Sequence, residues 1–152
     1  MSDILYDVKE HVATITLNRP QKVNAFRFDH VGEIERLVQQ SADDPEVRVV
    51  VITGTGRAFS VGGDVSVLGQ GGATAGMSDS DAWSLLCDGA QRTIEAIRAT
   101  RPVTVAAING ACAGGALALA CATDLRIATR SSRITTAFAK SGNRLTWACR
   151  GR

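Results

Sequence analysis

The sequence predicts a single α/β domain, on three observations. Runs rich in β-branched residues, 47–53 and 103–108, alternate with longer stretches whose apolar residues recur at helical spacing, 30–42 and 81–99. Glycine-bearing segments follow both runs, where the chain must turn sharply. At 152 residues, 45% hydrophobic and 21% charged, the chain can bury a core. Aromatic residues make up only 5%, so Val, Ile, Leu and Ala must fill most of that core.

The elements follow in order. Residues 4–8 and 12–17 alternate in polarity at strand period, with Lys9-Glu10-His11 turning between them, which predicts a hairpin. Asn18-Arg19-Pro20 ends the second strand, because proline cannot donate to a ladder and restrains the residue before it. Asp29 is expected to cap a helix over 30–42 whose apolar face is Val31, Ile34, Leu37 and Val38. Residues 47–53 read as a strand buried on both faces. An irregular Gly- and Ser-rich segment then runs to about Met77.

A second helix is expected over 81–99, capped by Ser78 or Asp79, with Leu86, Ala90, Ile94 and Ile97 on one face and Pro102 beyond its end. Residues 103–108 form the next strand. Residues 109–115 read as a turn into a small-residue helix over 115–122, followed by short strands at 125–128 and 134–136. No internal repeat is visible as sequence self-similarity.

Composition excludes several functional classes. The net charge is +2, and three positive charges sit in an acid-free tail at Arg144, Arg150 and Arg152, so the remainder carries −1. No basic cluster with interleaved aromatics exists elsewhere, which argues against nucleic acid as partner. Cys87, Cys112, Cys121 and Cys149 have neither zinc nor thioredoxin-like spacing, and with only His11 and His30 as imidazoles no metal site is expected. Cys112 and Cys121 read as small buried apolar residues. The N-terminus lacks signal-peptide character, and glycines and Asn109 interrupt the apolar stretch at 103–122, so a cytoplasmic chain with reduced thiols is the expectation.

Two segments carry chemistry: Gly54-Thr55-Gly56-Arg57-Ala58-Phe59-Ser60-Val61-Gly62-Gly63-Asp64, and Asn109 through Ala116. A dinucleotide fingerprint would need a third glycine where Phe59 stands and a helix beginning at once. A phosphate loop would need Gly-Lys-Ser/Thr. Both are missing. A different chemistry suits two such loops: backbone N–H groups converging on one carbonyl oxygen, with glycine permitting close approach and a helix N-terminus adding positive potential. Taken alone, Gly62-Gly63 would read as a plain loop and Gly114-Gly115 as a helix-packing device. Asp64 reads as a local cap or a loop-binding carboxylate, not a catalytic acid.

Taken together, several ordered motifs resemble the signature segments of the enoyl-CoA hydratase/isomerase (crotonase) family. They are Asn18-Arg19-Pro20 with Asn24-Ala25, then residues 58–64, then Asn109-Gly110 with Gly114-Gly115, and onward through Asp124 and Ala128 to about Lys140. The resemblance implies a ClpP/crotonase-like spiral of ββα units over 1–140, without the family's C-terminal helical part. It implies that the N–H groups of Val61 and Gly115 polarise a coenzyme A thioester. Lys22, Val23 and Asn24 would lie along the nucleotide portion of coenzyme A, with Ser60, Val61, Gly62, Gly63 and Asp64 flanking the pantetheine and thioester.

By the same resemblance coenzyme A enters only as part of the substrate, with no permanently bound cofactor, and a homotrimer or hexamer is the expected assembly. The family's two hydratase glutamates correspond here to Ala118 and Phe138, neither of which transfers a proton, so no general acid or base is assigned. The stretch 141–152 departs in character from what precedes it. A frameshift or premature stop near residue 141 is the expectation, set against a natural irregular tail. A catalytically inactive acyl-CoA-binding or assembly protein stands as the alternative function.

Overall fold

The computed structural model describes residues 2–64, 76 and 78–136. The N-terminal hairpin pairs β1 (Ile4–Lys9) with β2 (Val12–Leu17) in antiparallel register. Its turn has two central residues, Glu10 and His11, both at positive φ (50° and 67°). That matches the right-handed strand twist although neither residue is glycine.

Beyond the hairpin one pattern recurs. β3 (Val49–Gly54), β4 (Ala58–Ser60) and α2 (Asp79–Ala99) form one strand–strand–helix unit, and β5 (Val103–Ile108), β6 (Ala111–Ala113) and α3 (Gly115–Ala122) form the next. β7 (Leu125–Ala128) and β8 (Ile134–Thr135) begin a third. The first strand of each unit joins a five-stranded sheet of order β1-β2-β3-β5-β7, and the second joins a three-stranded parallel sheet of order β4-β6-β8. The stretch from β2 through α1 (Phe28–Asp43) repeats the theme, because Phe26 makes a parallel bridge to Gly63 where a further small-sheet strand would lie.

The expected ββα spiral is therefore present as spatial repetition without sequence repetition. The three-residue strands β4 and β6 fall inside stretches read as irregular segment and turn. They are too short to show a period and are defined only by pairing within the small sheet.

Register explains the core. Ala13, Val50 and Thr104 are opposite one another across β2, β3 and β5, as are Ile15, Ile52 and Ala106, and all six are fully buried toward the helices. The other face of the large sheet carries Thr14, Val51, Val105 and Leu125 in one row and Val49 beside Val103 in the next. Leu125 and Ile127 there are 55% and 65% exposed, and Val103 is 46% exposed. Burial of β3 on both faces was expected; the described residues cover only one.

The helices meet expectation on one face and depart from it at one end. Val31, Ile34, Leu37 and Val38 are buried as the periodicity requires. The N-cap of α1 is Arg27, not Asp29. Asp29 stands inside the first turn and accepts from the Arg27 guanidinium at 2.7 and 3.0 Å. Ser78 caps α2, its Oγ accepting from the Asp81 N–H at 3.2 Å. Thr93 of α2 is buried and donates to the Val31 carbonyl of α1 at 2.9 Å, tying the two helices. On α3 the buried residues are Gly115, Ala116, Leu119 and Ala120, so Cys121 falls on the opposite side and is exposed, contrary to the expected burial. Cys112, on β6, is buried as expected.

Two glycines at strand corners admit no side chain. A Cβ on Gly54 would lie 2.4 Å from the carbonyl oxygens of Ala58 and Phe59, and one on Gly110 would lie 2.1 Å from the Arg57 oxygen. Gly32, inside α1, has open space around it. Gly110→Ala should therefore lose roughly 1–3 kcal/mol or more through backbone displacement, whereas Gly32→Ala should gain about 0.5–1 kcal/mol from helix propensity. Urea unfolding midpoints check the pair. Shifts of the same sign would contradict this account of the corner.

Candidate functional site

The pairing of β4 with β6 aligns Ala58 with Ala111 and Ser60 with Cys112, with a register shift between them, so β4 ends one residue short of the end of β6. Beyond those ends Gly62 (φ +91°) and Gly114 (φ +56°) turn the two loops toward each other. A Cβ on Gly62 would lie 2.8 Å from both the Ala113 oxygen and the Gly115 nitrogen. Only glycine lets the chains approach this closely. The loops that carry Val61 and Gly115 are thus in direct contact.

Gly115 is the first residue of α3, so its N–H has no acceptor within the helix and sits at the positive end of the helix dipole. The Val61 N–H donates to the Val23 carbonyl at 3.3 Å, a long bond. The Val61 side chain is exposed. The Ser60 hydroxyl is buried and accepts from the Gly62 N–H at 3.1 Å, which shapes the loop from within.

The remaining expected site residues lie in the turn after β2. Pro20–Lys22 make one 3-10 turn, and Val23 and Asn24 both follow at positive φ, 52° and 55°. For a β-branched valine this is a strained conformation. Lys22 is exposed and Val23 half-buried. Asn24 is 2% exposed and its side chain is fully engaged. Oδ1 accepts from the Arg19 N–H at 2.9 Å, and Nδ2 donates to the carbonyls of Thr55 at 2.9 Å and Ala58 at 2.8 Å. Its amide group thus faces the protein interior, leaving only its backbone to meet a ligand.

Gly63 is exposed and bridges to Phe26 through two backbone bonds, Phe26 N–H to the Gly62 oxygen at 2.8 Å and Asp64 N–H to the Phe26 oxygen at 2.7 Å. Asp64 accepts from the Arg19 guanidinium at 3.2 Å.

Arg19 carried no separate expectation, yet its buried side chain anchors a partly buried charged group. Its Nη1 also donates to the Ala25 carbonyl at 2.7 Å, and its Nε lies 3.6 Å from Asp3. Asp3 in turn meets Arg27 at 2.8 Å and His30 Nε2 at 3.2 Å. The clue available was an arginine between two strand-ending residues, with acids only at distant positions in the chain. His30 Nδ1 accepts from the Arg27 N–H at 3.3 Å, which assigns the ring proton to Nε2, facing Asp3.

An apolar crevice opens beside Gly115, lined by Phe26, Val31, Ile34, Ala90, Ile94 and Leu119 from all three helices and the preceding turn. It encloses about 20 Å³, comparable to the space one water needs. Ala118, half-buried on α3, offers no proton-transfer group. Burial pushes the Cys112 thiol up to about 11, so it stays protonated and is no nucleophile. Among the described residues no cluster of three His, Cys, Asp or Glu could hold a metal, and no helix is long and apolar enough to cross a membrane. Phe138 and the boundary expected at 140/141 lie outside the described residues.

A spiral of ββα units in which the loops after β4 and β6 meet at two glycines is the crotonase-like class of fold. Within this class, the sequence profile of the enoyl-CoA hydratase/isomerase family matches residues 7–146, and the chain belongs to that family. It is 38% identical over 141 residues to the probable enoyl-CoA hydratase EchA14 of Mycobacterium tuberculosis, covering 91% of this chain and 52% of that protein. It is 39% identical over 134 residues to the putative enoyl-CoA hydratase/isomerase YngF of Bacillus subtilis, covering 85% and 48%. A putative enoyl-CoA hydratase/isomerase (crotonase) structure from Legionella pneumophila superposes with a TM-score of 0.83 at 29% identity, over 94% of this chain and 54% of that one. The chain spans about half the length of the relatives it matches.

The buried His30 has a measurable signature. Burial, the largest influence, lowers its pKa from 6.5, and the nearby Arg27 and Arg19 charges lower it further against the pull of Asp29 and Asp3. A depressed native pKa means that the stability it confers is complete above pH 6.5 and is lost as pH falls through the native value. Asp29, held at about 2 chiefly by the Arg27 hydrogen bond, loses its contribution only as pH falls from about 4 toward 2. The unfolding midpoint should therefore fall in two separate acid steps. His30→Gln should erase the step below pH 6.5 and leave the lower one. Persistence of the upper step in that variant would show that another group titrates there.

Proposed function

We propose that this chain binds acyl-CoA thioesters and polarises the thioester carbonyl with the N–H groups of Val61 and Gly115. The observation that carries the reading is the contact at Gly62, which brings the two loops within one peptide of each other at the N-terminus of α3. Two amides aimed at one oxygen stabilise the enolate-like charge that develops when a proton leaves or joins the carbon beside a thioester. Hydration, double-bond isomerisation and carbon–carbon cleavage all pass through such a charge, and the reading extends to that group of reactions.

In this reading the thioester oxygen competes with the Val23 carbonyl for the Val61 N–H, which the 3.3 Å bond holds only weakly. Lys22 and the backbone of Val23 and Asn24 run beside the nucleotide portion of coenzyme A, and Ser60 to Asp64 shape the path of the pantetheine. Coenzyme A comes and goes with the substrate, and no resident cofactor is invoked. Assembly as a trimer or hexamer, a cytoplasmic location and a place in fatty acid metabolism follow from the family resemblance and belong to the same proposal.

A second reading, binding without turnover, is favoured by one observation: Ala118 stands where the family resemblance places a proton-transferring glutamate. Following the enoyl absorbance of crotonyl-CoA during incubation, beside a CoA-thioester binding titration, separates the two. Loss of absorbance supports the enzyme, and binding alone supports the second reading. Proline fits a first helical position and removes the amide proton there, while its ring carbons crowd Gly62. Gly115→Pro should keep the helical circular dichroism signal while losing at least about a hundred- to a thousandfold in turnover. Full turnover in that variant would remove Gly115 from the donor pair.

A further inference from the structure

We infer that Arg19 is a positioning residue for the carbonyl-binding amides, acting through Asp64 without touching the ligand; this rests on the reading above. Arg19 is buried, with 9% of the residue exposed. Its Nη1 donates at once to the Ala25 carbonyl at 2.7 Å and to Asp64 Oδ2 at 3.2 Å. Those acceptors belong to the two sides of the Phe26–Gly63 bridge: Ala25 precedes Phe26, and Asp64 follows Gly63. One planar cation therefore holds both sides of the bridge, reaching the residue before it on one side and the residue after it on the other.

The bridge sets where Val61 points. Phe26 N–H bonds the Gly62 oxygen and Asp64 N–H bonds the Phe26 oxygen, so residues 62–64 can slide only if both bonds and the Arg19–Asp64 contact change together. Val61 is one residue from that anchored segment, and Gly62 has no slack against Ala113 and Gly115. A shift of about 1 Å in a donor is enough to cost on the order of a hundredfold in a positioned reaction. Lysine cannot replace this geometry, because a single ammonium lacks the rigid fork with which Arg19 meets Ala25, Asp64 and Asp3 together.

The test isolates the carbonyl. Butyryl-CoA and its thioether analogue S-butyl-CoA differ in the thioester oxygen, so the ratio of their dissociation constants measures recognition of that oxygen. The fraction of folded protein cancels from the ratio, so simple destabilisation leaves it unmoved. The wild-type chain should prefer butyryl-CoA by about tenfold or more, each tenfold corresponding to about 1.4 kcal/mol. Arg19→Lys and, independently, Asp64→Asn should each bring the ratio to within about threefold of unity, at unchanged ionic strength. If either variant fails to fold, the other still decides. A wild-type ratio retained in the folded variants overturns the inference and leaves the proposed function standing. A wild-type ratio near one overturns the proposed carbonyl recognition itself, and this inference with it.

Discussion

A gap too narrow for one methyl group holds this molecule's candidate site together. At Gly62 the chain passes between the Ala113 carbonyl and the Gly115 nitrogen, and any side chain would force the two loops apart. The approach is made possible further back. β4 and β6 pair in parallel and end within one residue of each other, and the positive φ of Gly62 and Gly114 then bends both chains inward. The helix that begins at Gly115 follows at once, so its dipole is directed at the place where the loops meet.

The support beneath that contact is polar, an unusual choice for a core this rich in aliphatic residues. Arg19, Asn24 and Asp64 stitch the turn after β2 to the corner between β3 and β4 through backbone carbonyls and one ion pair. Buried groups of this kind are costly unless every donor is used, and here Asn24 spends both of its amide hydrogens on main-chain oxygens. The strained backbone of Val23 persists within the same web. Hydrophobic packing would fill the space but leave the loops free to slide; directional bonds fix them.

How much of this could be read in the residues depended on the length scale of the signal. The long elements were legible. The apolar faces of α1 and the β-branched runs of β3 and β5 have a period, and the structure places them within two residues of expectation at most boundaries. β4, β6 and the Phe26 bridge were not, because a three-residue strand has no period and exists only through its partner. The helix cap failed for a related reason. Asp29 looked like a cap by type, but the Arg27 guanidinium draws its carboxylate outward, and the imidazole of His30 takes the Arg27 amide. For the site, Val61 and Gly115 were legible as loop positions. The inward commitment of Asn24 and the hub at Arg19 were not, since both rest on contacts between segments thirty or more residues apart.

The spiral arrangement has a consequence for how such a chain can change. Each unit sends one strand to each sheet, so the few residues joining the two act as a spacer between two rulers. At the corner after β3 that spacer is Thr55-Gly56-Arg57, with Thr55 tied to the Leu17 oxygen. Substituting the exposed Arg57 side chain leaves both rulers aligned. Lengthening the spacer by one residue moves the small sheet against the large one and flips its pleat. Surface loops ordinarily absorb insertions with ease; here the alignment of two separate ladders is at stake. Diversification by exchange of side chains is open to this architecture, while diversification by indels is closed at its corners and confined to the longer connections.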